Sequence, residues 1–99
     1  MNADKLLLDA MKKHFKKYEG ITRAVLFGSR ARGDNSERSD YDVAVYGSLT
    51  REEISALSSF FDDELPTLHK VDLVFIDKVN NIKLLSEIEK DGVEIYVQG

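Results

Sequence analysis

The stretch that most restricts the fold of this chain is "LFGSRARGDNSERSDYDVAVY", residues 26–46. It begins apolar, breaks into small and charged residues, then turns apolar again while carrying Asp40 and Asp42. Aspartate is depleted in strands, which favour side chains that pack on a pleated, half-buried surface. Side chains alternate between the two faces of a strand. Asp40, Asp42 and Ala44 therefore share one face, and Tyr41, Val43 and Val45 share the other. The chain must build a sheet in which one face meets a core while a corner of the opposite face stays open for carboxylates.

The remaining pattern supplies the helices that such a sheet needs. Leu6, Leu7, Ala10, Met11, His14, Phe15 and Tyr18 recur at three- and four-residue steps and predict an amphipathic first helix ended by Gly20. Lys12, Lys13, Lys16 and Lys17 fall on its solvated side. "ITRAVLF", residues 21–27, reads as the first strand, Ser29 to Arg32 as a single helical turn, and "DYDVAVY", residues 40–46, as the second strand. Thr50 and Glu53 form a capping box that opens a helix, with Ile54, Leu57, Phe60 and Phe61 turned inward and Pro66 closing the segment. "KVDLVFI", residues 70–76, is the third strand. Asn80 or Asn81 caps a last helix with Ile82, Leu85 and Ile88 inward, and Asp91-Gly92 turns into "VEIYV". The order α, β, short helical turn, β, α, β, α, β predicts an α+β domain: a mixed β-sheet with helices packed against it.

Bulk properties narrow the function. Ninety-nine residues suffice for one domain, residues 1–99, whose 42% hydrophobic and 32% charged content is globular rather than disordered. The net charge of −4 argues against a whole-surface grip on nucleic acid. The absence of cysteine excludes disulfides and thiolate zinc sites. No long apolar run opens the sequence, so neither a signal peptide nor a membrane span is expected, and a cytoplasmic setting is.

The third strand carries Asp72, which shares a face with Val74 and Ile76. If that strand neighbours the second in matched register, Asp72 joins Asp40 and Asp42. Like charges ~4 Å apart repel by several kcal/mol at a protein-surface dielectric, and a divalent cation relieves this. Mg²⁺ prefers oxygen ligands and commonly shares its shell with substrate phosphates, and two such ions can stabilise both oxygens of an in-line displacement. Gly28 would let a phosphate approach the backbone, Ser29 adds a hydroxyl, and Arg30 and Arg32 could place guanidinium forks on phosphate oxygens. An anion cradle beside metal-binding carboxylates suits phosphoryl or nucleotidyl transfer. His14 reads as a core histidine, and Tyr41 as core. His69 lies close enough in sequence to reach the site, and Arg38 faces either solvent or phosphate.

Gly28-Ser29, ten residues, Asp40, one residue, Asp42: this spacing resembles the signature of the DNA polymerase β-like nucleotidyltransferase superfamily. "GSRARGDNSERSDYDV" is most similar to its minimal nucleotidyltransferase (MNT) branch, short proteins often paired with a helical HEPN-domain toxin. The resemblance implies that Gly28 and Ser29 hold the triphosphate of a donor nucleotide and that Asp40 and Asp42 hold the metal ions. It makes Asp72 the third carboxylate, which helps to deprotonate or orient the acceptor. It further implies transfer of a nucleoside monophosphate, AMP from ATP, with release of pyrophosphate. The acceptor is expected to be a tyrosine of a HEPN toxin for which the chain is the antitoxin. Two alternatives stay open: neutralisation of a partner by occlusion without catalysis, and transfer to a small-molecule hydroxyl such as an antibiotic. With no second domain in sight, the acceptor site would be brought by a partner or shared across a homo-oligomer.

Overall fold

A computed structural model describes residues 3–34, 36 and 38–99 of the chain. The elements follow the predicted order: α1 (Lys5–Phe15), β1 (Ile21–Phe27), α2 (Ser29–Arg32), β2 (Tyr41–Gly47), α3 (Arg51–Asp63), β3 (Val71–Phe75), α4 (Ile82–Asp91) and β4 (Val93–Val97). A short 3-10 turn, Ile76–Lys78, follows β3. The four strands form one sheet in the order β3-β2-β1-β4. β1 is antiparallel to both β2 and β4, while β2 and β3 run parallel, joined by α3, as a parallel pair requires a crossover.

Alternation sorts the sheet into two unequal faces. On one, Leu26, Val43, Tyr41, Val71 and Ile95 pack against Leu7, Met11 and Phe15 of α1 and Leu57 and Phe61 of α3, forming the main core. On the other, Val25, Phe27 and Ala44 meet Ile88 of α4, with Val74, Ile76 and Leu84 around them. Ten-residue α4 covers the row Val25–Ala44–Val74. The next row, Phe27–Asp42–Asp72, lies at the edge of that cover. The open corner demanded by the aspartates is thus the part of the second face that α4 is too short to roof.

Local chemistry fixes the ends of the helices. The Asp4 carboxylate accepts from the Leu6 and Leu7 amides at the start of α1. Thr50 and Glu53 make the reciprocal capping box of α3, and Asn81 caps α4 through the Leu84 amide.

Several details depart from the sequence reading. α1 stops at Phe15, and Gly20 is not left-handed. Gly20 is required instead because the Ser48 carbonyl occupies the place a Cβ would take, while the Ser48 amide donates to the Gly20 carbonyl at 3.0 Å. Leu6 stands 74% exposed and so leaves the predicted stripe, while Tyr18 lies beyond the helix but still packs against the main core. Ile82 is 81% exposed. It is the first residue of α4, and Leu84 packs against the second cluster instead. β2 begins at Tyr41 rather than at residue 40, and β3 ends at Phe75.

Candidate active site

The candidate site gathers the end of β1 and the starts of β2 and β3, which lie at the same end of the sheet. β1 ends at Phe27, whose register partner is Asp42. The chain then turns through Gly28 at φ 77°, ψ −159°, a combination open essentially only to glycine. A Cβ at this position would lie 2.6 Å from the Asp42 Oδ2 atom. Glycine is therefore needed twice over, for the backbone conformation and for the carboxylate beside it. The Gly28 carbonyl accepts from the Ala31 and Arg32 amides, and the Ser29 carbonyl from those of Gly33 and Asp34, which closes α2 into a tight turn. Among the described residues, neither the Ser29 amide nor its hydroxyl makes a hydrogen bond. Both remain open to a ligand.

Asp42 and Asp72 are register partners on neighbouring strands and point to the same face. This is the arrangement on which the sequence reading depended. The Asp42 carboxyl is held above the usual carboxylate range, first by burial, then by the charges of Asp72 and Asp40, with Arg32 acting in the opposite sense. Asp40 stands just outside β2 and is exposed. The three carboxylates feel one another without closing into a cage. Among the described residues, no group of three His, Cys, Asp or Glu side chains is arranged to hold a metal ion. The donor set nonetheless suits a hard cation that brings part of its own shell. It offers oxygen only, Asp42 and Asp72 stand in register on neighbouring strands, and the Asp42 carboxyl is raised first by burial and then by the charges of Asp72 and Asp40.

The arginines divide. Arg32 is half-exposed, pairs with Asp34 at 3.0 Å and reaches Asp91 at 3.8 Å. It lies close enough to Asp42 to act on it. Arg30 is only 6% exposed. Its guanidinium lies over the Tyr41 ring at 4.4 Å, and its Nε and Nη2 donate to the Ser39 carbonyl at 3.3 and 3.1 Å. Tyr41 faces the main core, so Arg30 lies on the side of the sheet opposite Asp42. It ties the α2 turn to the segment that delivers Asp40 and Asp42.

The sequence reading passed over Lys70. Its ammonium sits 3.2 Å from Asp72 Oδ1. Its pKa is raised by that hydrogen bond and charge, then by Asp40 and Asp62. The signal was present, because residues two apart on an extended segment share a face. His69 makes an edge contact with the Tyr41 ring, on the core side rather than at the carboxylates. Arg38 is exposed.

The chain's likeness to known proteins agrees with this geometry. The family model described as polymerase beta, nucleotidyltransferase matches residues 9–98. A protein of Methanocaldococcus jannaschii, provisionally named a protein adenylyltransferase, is 29% identical over 93 residues, or 92% of this chain and 93% of that protein. A chain from the crystal structure of a toxin-antitoxin with AMP-PNP matches with a TM-score of 0.72 and 19% identity, over 97% of this chain and 75% of that one. A chain from a structure described as tri-AMPylated Shewanella oneidensis HEPN toxin in complex with MNT antitoxin matches with a TM-score of 0.54 and 20% identity, over 92% of this chain and 73% of that one. At such identities the two structures speak to the shared fold.

Proposed function

The chain belongs to the polymerase beta nucleotidyltransferase family, and from that premise we propose that it transfers AMP from ATP to a hydroxyl of a partner protein. The acceptor we favour is a tyrosine of a HEPN-type toxin, which the modification silences. One observation carries the reading: Asp42 and Asp72 face each other in register beside a Gly28 turn that only glycine can make. Support for the protein acceptor comes from the adenylyltransferase name of the M. jannaschii relative. The Shewanella complex, one chain of which shares this fold, is described as holding an AMPylated toxin, and this points the same way. A cytoplasmic setting suits a cysteine-free chain that uses ATP.

The roles follow from position. The Ser29 amide and hydroxyl and the Gly28 turn take the triphosphate, with Arg32 at the rim of the turn. Asp40, Asp42 and Asp72 would hold Mg²⁺, one ion or two, which when bound neutralises charge between the carboxylates and the phosphate oxygens. Asp72 also accepts the proton of the incoming hydroxyl. The acceptor oxygen bonds to the α-phosphorus, the bond to the bridging oxygen breaks, and pyrophosphate leaves. Arg30 does not touch the nucleotide in this scheme and holds the turn in place.

The test is direct. Purified protein is incubated with labelled ATP, MgCl₂ and a HEPN-type partner protein, and label is followed onto the partner. Wild type labels the partner on a tyrosine and Asp42→Asn does not. Equal labelling by both proteins would sink the proposal. A variant inactive at Asp40 and Asp42 that still suppressed the partner's toxicity would favour occlusion instead.

A further inference from the structure

β3 is the outermost strand of the sheet, and its free edge runs past the candidate site. The Tyr41 amide donates to the Lys70 carbonyl at 2.9 Å, and Tyr41 is paired with Val71. In a parallel ladder this places the backbone groups of residues 70, 72 and 74 toward β2. Those of Val71, Leu73 and Phe75 turn outward. Val71 is buried at 4% exposure, whereas Leu73 and Phe75 are half-buried. The accessible edge therefore begins at Leu73, one residue from Asp72.

A cleft of about 160 Å³ opens along this edge, between β3 and α3, lined by Ser58, Phe61, Asp62, Val71, Asp72 and Leu73. It is the size of a side chain, not of a strand, and it lies on the α3 side of the sheet. Its lining includes two acidic residues, Asp62 and Asp72, and the Lys70 ammonium sits 3.2 Å from Asp72 Oδ1. Asp62 makes no ion pair among the described residues, so a cation entering the cleft would meet its carboxylate.

We propose that the outer edge of β3 docks the acceptor as an added strand, an extended, basic segment of a partner protein that pairs with Leu73. Its tyrosine points to the carboxylate face beside Asp72, and an adjacent lysine or arginine enters the cleft against Ser58 and Asp62. Alternation enforces the pairing of these two features. On an added strand about 4.8 Å from β3, a side chain in line with Asp72 shares the face of Asp42, and its immediate neighbours must point to the α3 side. The backbone bonds provide affinity and the alternate side chains provide selection, as in other strand-addition complexes. The chemical step is the one already given: the tyrosine oxygen bonds to the α-phosphorus, its proton passes to Asp72, and pyrophosphate departs.

This inference rests on the adenylyl-transfer reading, and the experiment separates the two. Two ten-residue peptides, with a central tyrosine flanked by two arginines or by two glutamates, are added to the full chain with MgCl₂. Backbone amide shifts are followed by NMR with a non-hydrolysable ATP analogue, and AMP transfer is followed with labelled ATP. The arginine peptide is expected to shift the Leu73 amide and to accept AMP at least ten times faster than the glutamate peptide. Asp62→Lys, an exposed change on α3, is expected to reverse that preference while leaving ATP binding intact. Leu73→Pro removes an amide the sheet does not use and is expected to weaken binding of both peptides. Thermal unfolding checks its fold, and Asp62→Lys serves alone if the proline variant unfolds. No shift at Leu73 with either peptide, or a preference indifferent to Asp62→Lys, overturns the docking surface. Charge-selective shifts at Leu73 with no AMP transferred would uphold docking and defeat adenylyl transfer.

Discussion

Asp42→Asn should make the metal-free protein more stable while abolishing transfer. Asp42 and Asp72 are register partners, which sets their side chains on strands about 4.8 Å apart. At ~5 Å two full charges repel by roughly 3 kcal/mol at an effective dielectric of 20. Two features reduce this. Both carboxyls are partly exposed, and Lys70 already sits 3.2 Å from Asp72. Discounted for screening, about 1 kcal/mol of repulsion remains. Asparagine keeps the shape and removes the charge, so the variant should gain about 1 kcal/mol, which for a domain of this size is a rise of roughly 4–8 °C in Tm. The assay is thermal unfolding at pH 7.5 and low salt in EDTA, repeated in 10 mM MgCl₂ with ATP. In EDTA the variant melts higher. With metal and nucleotide the order reverses, because only the wild type gains binding energy. A variant that melts lower than wild type in EDTA would refute the reasoning, since it would mean that the Asp42 charge is already compensated within the fold.

Three other substitutions probe separate parts of the argument. His14 is buried, its ring stacks on Phe60 at 3.6 Å, and neither ring nitrogen has a partner among the described residues. Burial, then Lys17, lower its pKa, with Glu64 opposing. A histidine whose folded pKa lies below its unfolded value of 6.5 contributes full stability above pH 6.5 and loses it as pH falls through the folded value. His14→Phe should therefore flatten the stability profile between pH 7.5 and pH 5 in urea titrations and add about 1 kcal/mol at neutral pH. Gly28→Ala forces a Cβ against Asp42 at a φ of 77°. It should cost about 1–3 kcal/mol by chemical denaturation and remove transfer, whereas a free turn would tolerate it. Arg30→Gln loses the two hydrogen bonds to the Ser39 carbonyl and the Tyr41 stack. A loss of about 2–3 kcal/mol is expected, with lysine rescuing little because it lacks the planar fork. If Arg30 instead served the triphosphate, ATP affinity would fall with no change in Tm.

Much of the fold was legible because it follows from periodicities. The 3.6-residue stripe of Leu7, Met11 and Phe15 and the alternation of Val43, Val45 and Tyr41 each bind an element to one core face, whatever its neighbours do. Caps were legible for the same local reason: Thr50 and Glu53 satisfy each other's amides within four residues. The errors fall where a distant partner decides. Ile82 fits the helical stripe but, as the first residue of α4, stays 81% exposed. Gly20 looked like a helix end, and its real constraint is a carbonyl 28 residues away, that of Ser48.

The site divides in the same way. By itself the sequence determined the spacing from Gly28-Ser29 to Asp40 and Asp42, and with it the family, because a turn of fixed length between two strands is a local property. It also placed Asp42 and Asp72 on matching faces of their own strands. Whether they meet was a question of strand order and register, and only the tertiary structure decided it, by laying β3 parallel beside β2 with Tyr41 bonded to Lys70. The division of Arg30 from Arg32 was also tertiary. Two residues apart on one helical turn they are chemically alike, but the ring of Tyr41 and the Ser39 carbonyl draw one into the core side and leave the other at the surface beside the carboxylates.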